Sequence, residues 1–230
     1  MFIAIDANIG SGKTALCHSL YSVLRTRKIK ARVFEEPTNT KQFRYFLSRH
    51  VEALKKGINA GEAFEMQCWM LVERYAQHKL AVEYSWNNNI WALQDRPIYG
   101  DSVFAVVANK RGFMSNEQLV LYSRIFSEMS RDLMPPDIFV YLNVSPEIAY
   151  ERMNERGRKA EDGVPLDYLQ DLDSQYQVLL NKLRLRGIPV LEVPWEKYGA
   201  PVKLYEQIVE ITRNPYEYLS KQKIVPSIQP

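Results

Sequence analysis

Cysteine is nearly missing from this chain. Its 230 residues hold two, Cys17 and Cys68, far apart and without CxxC spacing. That excludes a disulfide framework and a cysteine metal site, and both thiols read as buried in a reducing compartment. No apolar run is long enough to span a bilayer. The first residues read as a core strand rather than a leader, so the expectation is a soluble, cytoplasmic protein with no membrane partner. An excess of one charge is lacking too. The net charge is +3 with the signs mixed, which argues against a protein that coats nucleic acid. Internal repeats and low-complexity stretches are missing. Hydrophobic residues are not: at 46% they suffice for the core of one α/β domain.

Apolar runs and helical patterns alternate along the chain. Strands are expected at Phe2–Ile5, Ala31–Glu35, Ile90–Gln94, Asp137–Leu142 and Val190–Val193. Helices are expected over 15–27, 39–55, 62–84, 102–111, 116–133, 146–158, 165–186 and 202–212. Five strands alternating with helices imply a parallel sheet covered on both faces. The boundaries expected are a domain over 1–213 and an extended tail over 214–230, where polar residues and three prolines stand. The aromatic stripe Phe64, Trp69 and Tyr75 reads first as core.

One stretch organises the rest. Asp6-Ala7-Asn8-Ile9-Gly10-Ser11-Gly12-Lys13-Thr14 joins the first strand to the first helix. Strand, glycine-rich loop, helix is the setting in which backbone N–H groups cradle a phosphate. Asn8, Ile9, Gly10, Ser11, Gly12, Lys13 and Thr14 are the candidates to bind a nucleotide. Lys13 can reach its outer phosphates, and the Thr14 hydroxyl can sit on Mg²⁺. Ala7 stands where such loops carry glycine, which requires a negative φ there.

Phosphoryl transfer needs held phosphates, neutralised charge and an oriented acceptor hydroxyl. Glu36 precedes Pro37, which extends the chain and places a carboxylate at a strand's end, where open α/β sheets bind ligands. It can serve as general base, or cap a helix. Asp95 ends the third strand and can hold Mg²⁺, directly or through water. Arg152, Arg156 and Arg158 lie at i, i+4 and i+6, with Gly157 as a turn. Guanidinium groups suit the spread charge of a transferring phosphoryl group. Alone such a cluster reads as a solvated patch; beside a phosphate loop it reads as an arginine-rich lid.

The order of these motifs resembles the deoxyribonucleoside kinase family. The motifs that carry the resemblance are Ala7-Asn8-Ile9-Gly10-Ser11-Gly12-Lys13, Glu36-Pro37, Asp95-Arg96-Pro97, Arg156-Gly157-Arg158, Glu161 and Pro165-Leu166-Asp167-Tyr168-Leu169, and it spans roughly 1–212. It implies a P-loop kinase fold with a five-stranded parallel sheet. It implies Mg²⁺ and ATP (or another NTP) as phosphate donor, with a deoxynucleoside as acceptor. Glu36 would be the base on the 5′-hydroxyl, oriented by Arg96. Asp95 would assist Mg²⁺. Glu161 would hold the sugar 3′-hydroxyl, and Arg152, Arg156 and Arg158 would close on the phosphates. Gln67, with Trp69 nearby, would read and stack the base. The loop near Trp195–Tyr198 would hold the donor's base through backbone.

Arg74 and Asp101 match positions that carry Arg and Asp in members acting on deoxycytidine and purine deoxynucleosides. The resemblance therefore implies those substrates before thymidine, and a role in nucleotide salvage. A buried ion pair with only a packing role is the other reading of these two residues. Pro97 replaces a serine of the family motif, and Lys55-Lys56-Gly57-Ile58 holds no counterpart of the family's sugar-binding tyrosine. Two further readings compete. A thymidylate kinase would need an acceptor-phosphate stretch after Glu36-Pro37, where Thr38-Asn39-Thr40 stands. A non-catalytic nucleotide-binding protein would not need Glu36. By analogy with the family, a homodimer through the helices at 62–84 and 116–133 is expected.

Overall fold

The computed structural model describes residues 1–38, 40–56, 61–158, 161–197 and 199–222. Five strands are found among them: β1 (Phe2–Ala7), β2 (Ala31–Phe34), β3 (Trp91–Asp95), β4 (Ile138–Asn143) and β5 (Val190–Pro194). They pair in the order β2-β3-β1-β4-β5, all parallel. β1 lies at the centre, with Ile5 opposite Asp95 on one side and Val140 on the other. It is buried along its whole length, which is why it reads as a near-continuous apolar run.

The helices are α1 (Lys13–Thr26), α2 (Lys41–Lys56), α3 (Glu62–Asn87), α4 (Ile98–Lys110), α5 (Asn116–Ser130), α6 (Pro146–Arg156), α7 (Leu166–Leu185), α8 (Pro201–Arg213) and α9 (Pro215–Lys221). α1 packs on α8 and against β1, β2 and β3. α3 and α7 both pack on α4, α2 and α5 join α3, and α6 lies on α7. The buried side of α1, Leu16, Cys17, Leu20, Val23 and Leu24, has the spacing of one helix face. On β1 the two-residue period divides the side chains. Phe2, Ala4 and Asp6 share one face, where Phe2 meets His78 of α3 edge-on and Asp6 meets Tyr176 of α7.

The strands and helices expected from the sequence are present, with three corrections. Helix α4 begins at Ile98 and not at 102, because Pro97 takes φ −73 and ψ 171 and serves as its N-cap. Gly100 therefore lies inside a helix. Within the segment expected to be an extended tail, Pro215–Lys221 forms α9, capped by the Asn214 side chain. Tyr218 OH and Gln222 Nε2 donate to the Val190 carbonyl at 2.9 and 2.6 Å, which ties this end to β5. The aromatic stripe of α3 divides: Phe64 and Tyr75 pack on the core, whereas Trp69 turns to α2. Cys17 is buried, as expected; Cys68 is only half-buried. Among the described residues no helix is long and apolar enough to cross a membrane.

Candidate active site

A cleft of about 600 Å³ opens beside the carboxyl ends of β1, β2 and β3. Chain direction around the sheet reverses there, since β1 leads to β2 on one side and β4 lies on the other. The loop from β1 enters it. Ala7 is the last residue of β1, paired with Leu142, and is not among the residues with positive φ. Its methyl group is thus an ordinary strand side chain. Left-handed conformation is carried by Gly10 at φ 79 and Gly12 at φ 89. A Cβ on Gly10 would lie 2.1 Å from the Ala149 carbonyl oxygen, so α6 can approach only a glycine.

Ile9, Gly10, Gly12, Lys13 and Thr14 line the cleft. Asn8 and Ser11 are buried behind them. Asn8 Nδ2 donates to the Leu169 carbonyl at 2.8 Å and its Oδ1 accepts from Ile9 N–H, which pins the loop to α7. Lys13 is buried too, and burial, then the nearby Arg96, lowers its ammonium below the ordinary value. A weakly solvated cation at this place attracts an anion strongly.

Glu36 stands across the cleft from the loop. Arg74 Nη2 of α3 donates to its Oε1 at 2.5 Å, and Arg96 Nε lies 3.0 Å from the same oxygen. Burial alone would raise this carboxyl, but Arg96, Arg74 and Lys13 overcome it and hold it at about 2. Glu36 is therefore ionised at neutral pH and presents an acceptor to any hydroxyl that reaches it. Arg74 also donates to Asp101, which accepts from Tyr122 OH as well. Asp101 is fully buried and is not among the cleft-lining residues. It acts on the cleft through Arg74.

Asp95 ends β3 beside the loop. Thr14 Oγ1 donates to its Oδ2 at 2.5 Å, and its Oδ1 is buried without a hydrogen-bond partner. Burial pushes the carboxyl up, opposed by Lys13. Among the described residues no cluster of three or more His, Cys, Asp or Glu could hold a metal on its own. A hydroxyl and one carboxylate with a free oxygen are the hard donors that suit Mg²⁺, which takes few protein ligands and completes its shell with phosphates and water. The residues present fit that ion.

The lid arginines divide. Arg152, Arg156 and Arg158 all line the cleft. Arg152 donates to the carbonyls of Trp195 at 3.1 Å, Glu196 at 2.6 Å and Ser11 at 3.5 Å. It braces the phosphate loop against the segment after β5. Arg156 Nη2 donates to both carboxylate oxygens of Glu161 at 2.8 and 2.6 Å, and Arg158 Nη1 lies 3.7 Å from the same carboxylate. Glu161 also lines the cleft. The expected phosphate-side arginines and the expected sugar-side glutamate thus hold one another.

At the other end, Gln67 is buried, lines the cleft, and its Oε1 has no partner among the described residues. Trp69 is a correction. Two residues along α3 is about 200° of rotation, which carries it away from Gln67. Its ring stacks on Phe46 at 5.8 Å and leans on Phe43 at 6.2 Å, and it is not among the lining residues. Phe104, Met66 and Met70 form the apolar wall instead. His50 of α2 is buried there with Nδ1 unpartnered, and burial lowers it to about 4. The counterpart sought near Lys55–Ile58 falls partly on residues outside those described, as does Tyr198.

Sequence reasoning missed Asp6, Tyr122 and Tyr176. Asp6 Oδ1 accepts from Ala7 N–H at 2.8 Å, Arg96 Nη1 at 3.0 Å and Tyr176 OH at 3.0 Å. One signal was available: a carboxylate inside an otherwise apolar buried strand has to be paired. The tyrosines sit in helical apolar patterns and carry no signal of their own.

A phosphate loop facing an ionised carboxylate across one cleft, on this parallel sheet, is the arrangement of a P-loop kinase. The family model described as deoxynucleoside kinase matches residues 3–214, and the chain belongs to that family. The chain is 32% identical over 215 residues to a deoxyadenosine kinase of Dictyostelium discoideum, covering 94% of this chain and 79% of that one. It is 31% identical over 197 residues to a deoxyguanosine kinase of the same organism, covering 86% and 65%. A solved structure of deoxyadenosine kinase from M. mycoides with bound dATP matches with a TM-score of 0.71 at 23% identity, over 91% of this chain and 99% of that chain. That last likeness is one of fold.

Proposed function

We propose that this kinase transfers the γ-phosphoryl group of ATP, or another NTP, to the 5′-hydroxyl of a deoxynucleoside in nucleotide salvage. Purine deoxynucleosides or deoxycytidine are preferred over thymidine. The observation that carries the reading is Glu36, ionised and clamped between Arg74 and Arg96, opposite Lys13 and the phosphate loop.

In this reading the donor phosphates lie on the loop between Gly10 and Thr14, with Lys13 drawing charge from the outer ones. The 5′-hydroxyl donates to Glu36. A carboxylate held at about 2 is a weak base, so it orients the hydroxyl first. It takes the proton late, as the new O–P bond forms, which suits a loose transition state. Thr14 and Asp95 would hold Mg²⁺, which neutralises charge on the phosphates when bound. Arg156 and Arg158 exchange Glu161 for the phosphoryl oxygens while Glu161 turns to the 3′-hydroxyl. Gln67 reads the base edge with its free carbonyl and its amide. The kinships to deoxyadenosine and deoxyguanosine kinases support a purine substrate.

A homodimer and a cytoplasmic location belong to the same reading. Exposed apolar residues on α3 (Val72, Leu80, Trp86) and α5 (Val120, Leu121) support a second copy at that surface. The test is transfer of label from γ-labelled ATP, with Mg²⁺, to each of the four deoxynucleosides and separately to thymidine monophosphate. Label on a purine deoxynucleoside or deoxycytidine at the 5′ position is expected. Label on the monophosphate alone would overturn the reading.

A further inference from the structure

Arg96 is held in an unusual way. Its φ is 57, one of three positive values among non-glycine residues described, and Pro97 follows it. Left-handed backbone is unfavourable for a side chain with a Cβ, and the residue before proline is pushed towards extended conformation. Its own N–H donates to the Ile5 carbonyl at 2.9 Å. The strain is therefore kept by the surroundings, and such strain gathers at functional sites.

The surroundings form a socket for one guanidinium. Nη1 donates to Asp6 Oδ1 at 3.0 Å, to the Ala7 carbonyl at 3.1 Å and to Tyr176 OH. Tyr176 OH in turn lies 3.0 Å from Asp6 Oδ1. The Phe104 ring lies 4.9 Å from the guanidinium carbon. Gly100 leaves the space Asp6 needs, since a Cβ there would stand 2.0 Å from Asp6 Oδ2. With this end fixed, Nε lies 3.0 Å from Glu36 Oε1. Asp6 and Tyr176 are wholly buried and do not line the cleft. Stability alone gives little reason for them, because apolar residues in place of a buried ion pair are often as stable or more so.

We infer that Asp6 and Tyr176 are positioning residues for phosphoryl transfer, which fix the Arg96 guanidinium so that it aims the Glu36 carboxylate at the acceptor hydroxyl. Neither touches substrate. This inference rests on the function proposed above, in which Glu36 is the base.

The test is a double-mutant cycle on the full chain, with ATP, Mg²⁺ and the best-accepted deoxynucleoside. Tyr176→Phe removes one hydroxyl and keeps the ring in the core. Its kcat falls about tenfold to a hundredfold, while both KM values stay within about threefold. In an Arg96→Met background the same change alters kcat less than about twofold, because the residue it acts through is gone. The acid limb of the kcat–pH profile also moves up towards the ordinary carboxyl value of 4.5 as Arg96 loosens from Glu36. Asp6→Asn follows the same pattern; if it fails to fold, Tyr176→Phe decides. An equal loss in both backgrounds, or an unchanged kcat in folded Tyr176→Phe, overturns the inference and leaves the kinase reading intact. A wild type that phosphorylates no deoxynucleoside removes both.

Discussion

Glu36 and Arg74 lie 38 residues apart in sequence, yet Arg74 Nη2 donates to Glu36 Oε1 at 2.5 Å. The same guanidinium reaches back to Asp101. One arginine thus joins the carboxylate across the cleft from the phosphate loop to a carboxylate sealed in the core. In the proposed reading this network couples nucleobase choice to the handling of the acceptor hydroxyl.

Substrate choice should follow Arg74. Asp101 is buried and does not line the cleft. Asp101→Ala alone leaves Arg74 with Glu36 as its carboxylate partner and Tyr122 OH without its acceptor, and should cost about 1 to 3 kcal/mol of stability. The double variant Arg74→Met with Asp101→Ala removes both charges and opens room at the base. Its kcat/KM ratio of thymidine to deoxycytidine should rise by about tenfold or more. An unchanged ranking of the four deoxynucleosides would rule out this pair as a selector.

Asp95→Asn should raise the Mg²⁺ concentration for half-maximal rate by about tenfold or more. Thr14→Ala should act in the same direction. Thermal melting without nucleotide should fall for Thr14→Ala, since it takes from the buried Asp95 carboxylate its hydroxyl donor. A metal dependence identical to the wild type in both variants would place the ion elsewhere.

Glycine positions separate loop chemistry from packing. Gly10→Ala forces a Cβ to 2.1 Å from the Ala149 carbonyl at φ 79, so loss of nucleotide binding and at least about 1 to 3 kcal/mol of stability are expected. Ala7→Gly should cost about 0.5 to 1 kcal/mol as a strand substitution and leave the KM for ATP unchanged. A tighter KM for ATP in Ala7→Gly would mean that the methyl group crowds the donor.

Acid should destabilise this protein well above the ordinary carboxyl range. Burial lowers both His50 and His78 from 6.5 to about 4. The unfolded chain then binds more protons between those values, so the stability is present above 6.5 and is lost as pH falls towards 4. Each contributes up to about 3 kcal/mol by this linkage. Glu36 adds nothing in that window: its depressed carboxyl gives stability above 4.5 that is lost only as pH falls through about 2. Urea midpoints measured from about pH 7.5 down to 4.5 should fall, and the slope should shrink in His78→Phe. Burial raises the carboxyls of Asp6, Asp95 and Asp101, which pull the total the other way. An equal slope in His78→Phe and the wild type would show that this ring is not buried neutral.

Much of the fold was legible because apolar runs and punctuation agree along the chain. β1 as far as Ile5 and β4 as far as Leu142 are buried on both faces and read as apolar runs. Gly100 misled the reading of α4. Gly and Pro together signal a loop, but this glycine is required by the approach of Asp6 to a helix. α9 was missed because three prolines over 214–230 look like extended chain; Pro215 instead starts the helix behind the Asn214 cap. In the site, Glu36, Lys13, Thr14, Asp95 and Arg96 were found by motif and do meet in one cleft. Trp69 was placed by proximity in sequence, which helical rotation defeats. Asp6 and Tyr176 act behind the cleft and lie 170 residues apart, a relation that no local pattern carries.

The measurement that bears most directly on Glu36 as the base is single-site kinetics of Glu36→Gln. With Mg²⁺, ATP and the best-accepted deoxynucleoside, kcat should fall by about 10² to 10⁴, and the deoxynucleoside Kd should stay within about threefold. A folded Glu36→Gln enzyme that turns over within about twofold of the wild type would contradict a proton acceptor at this position.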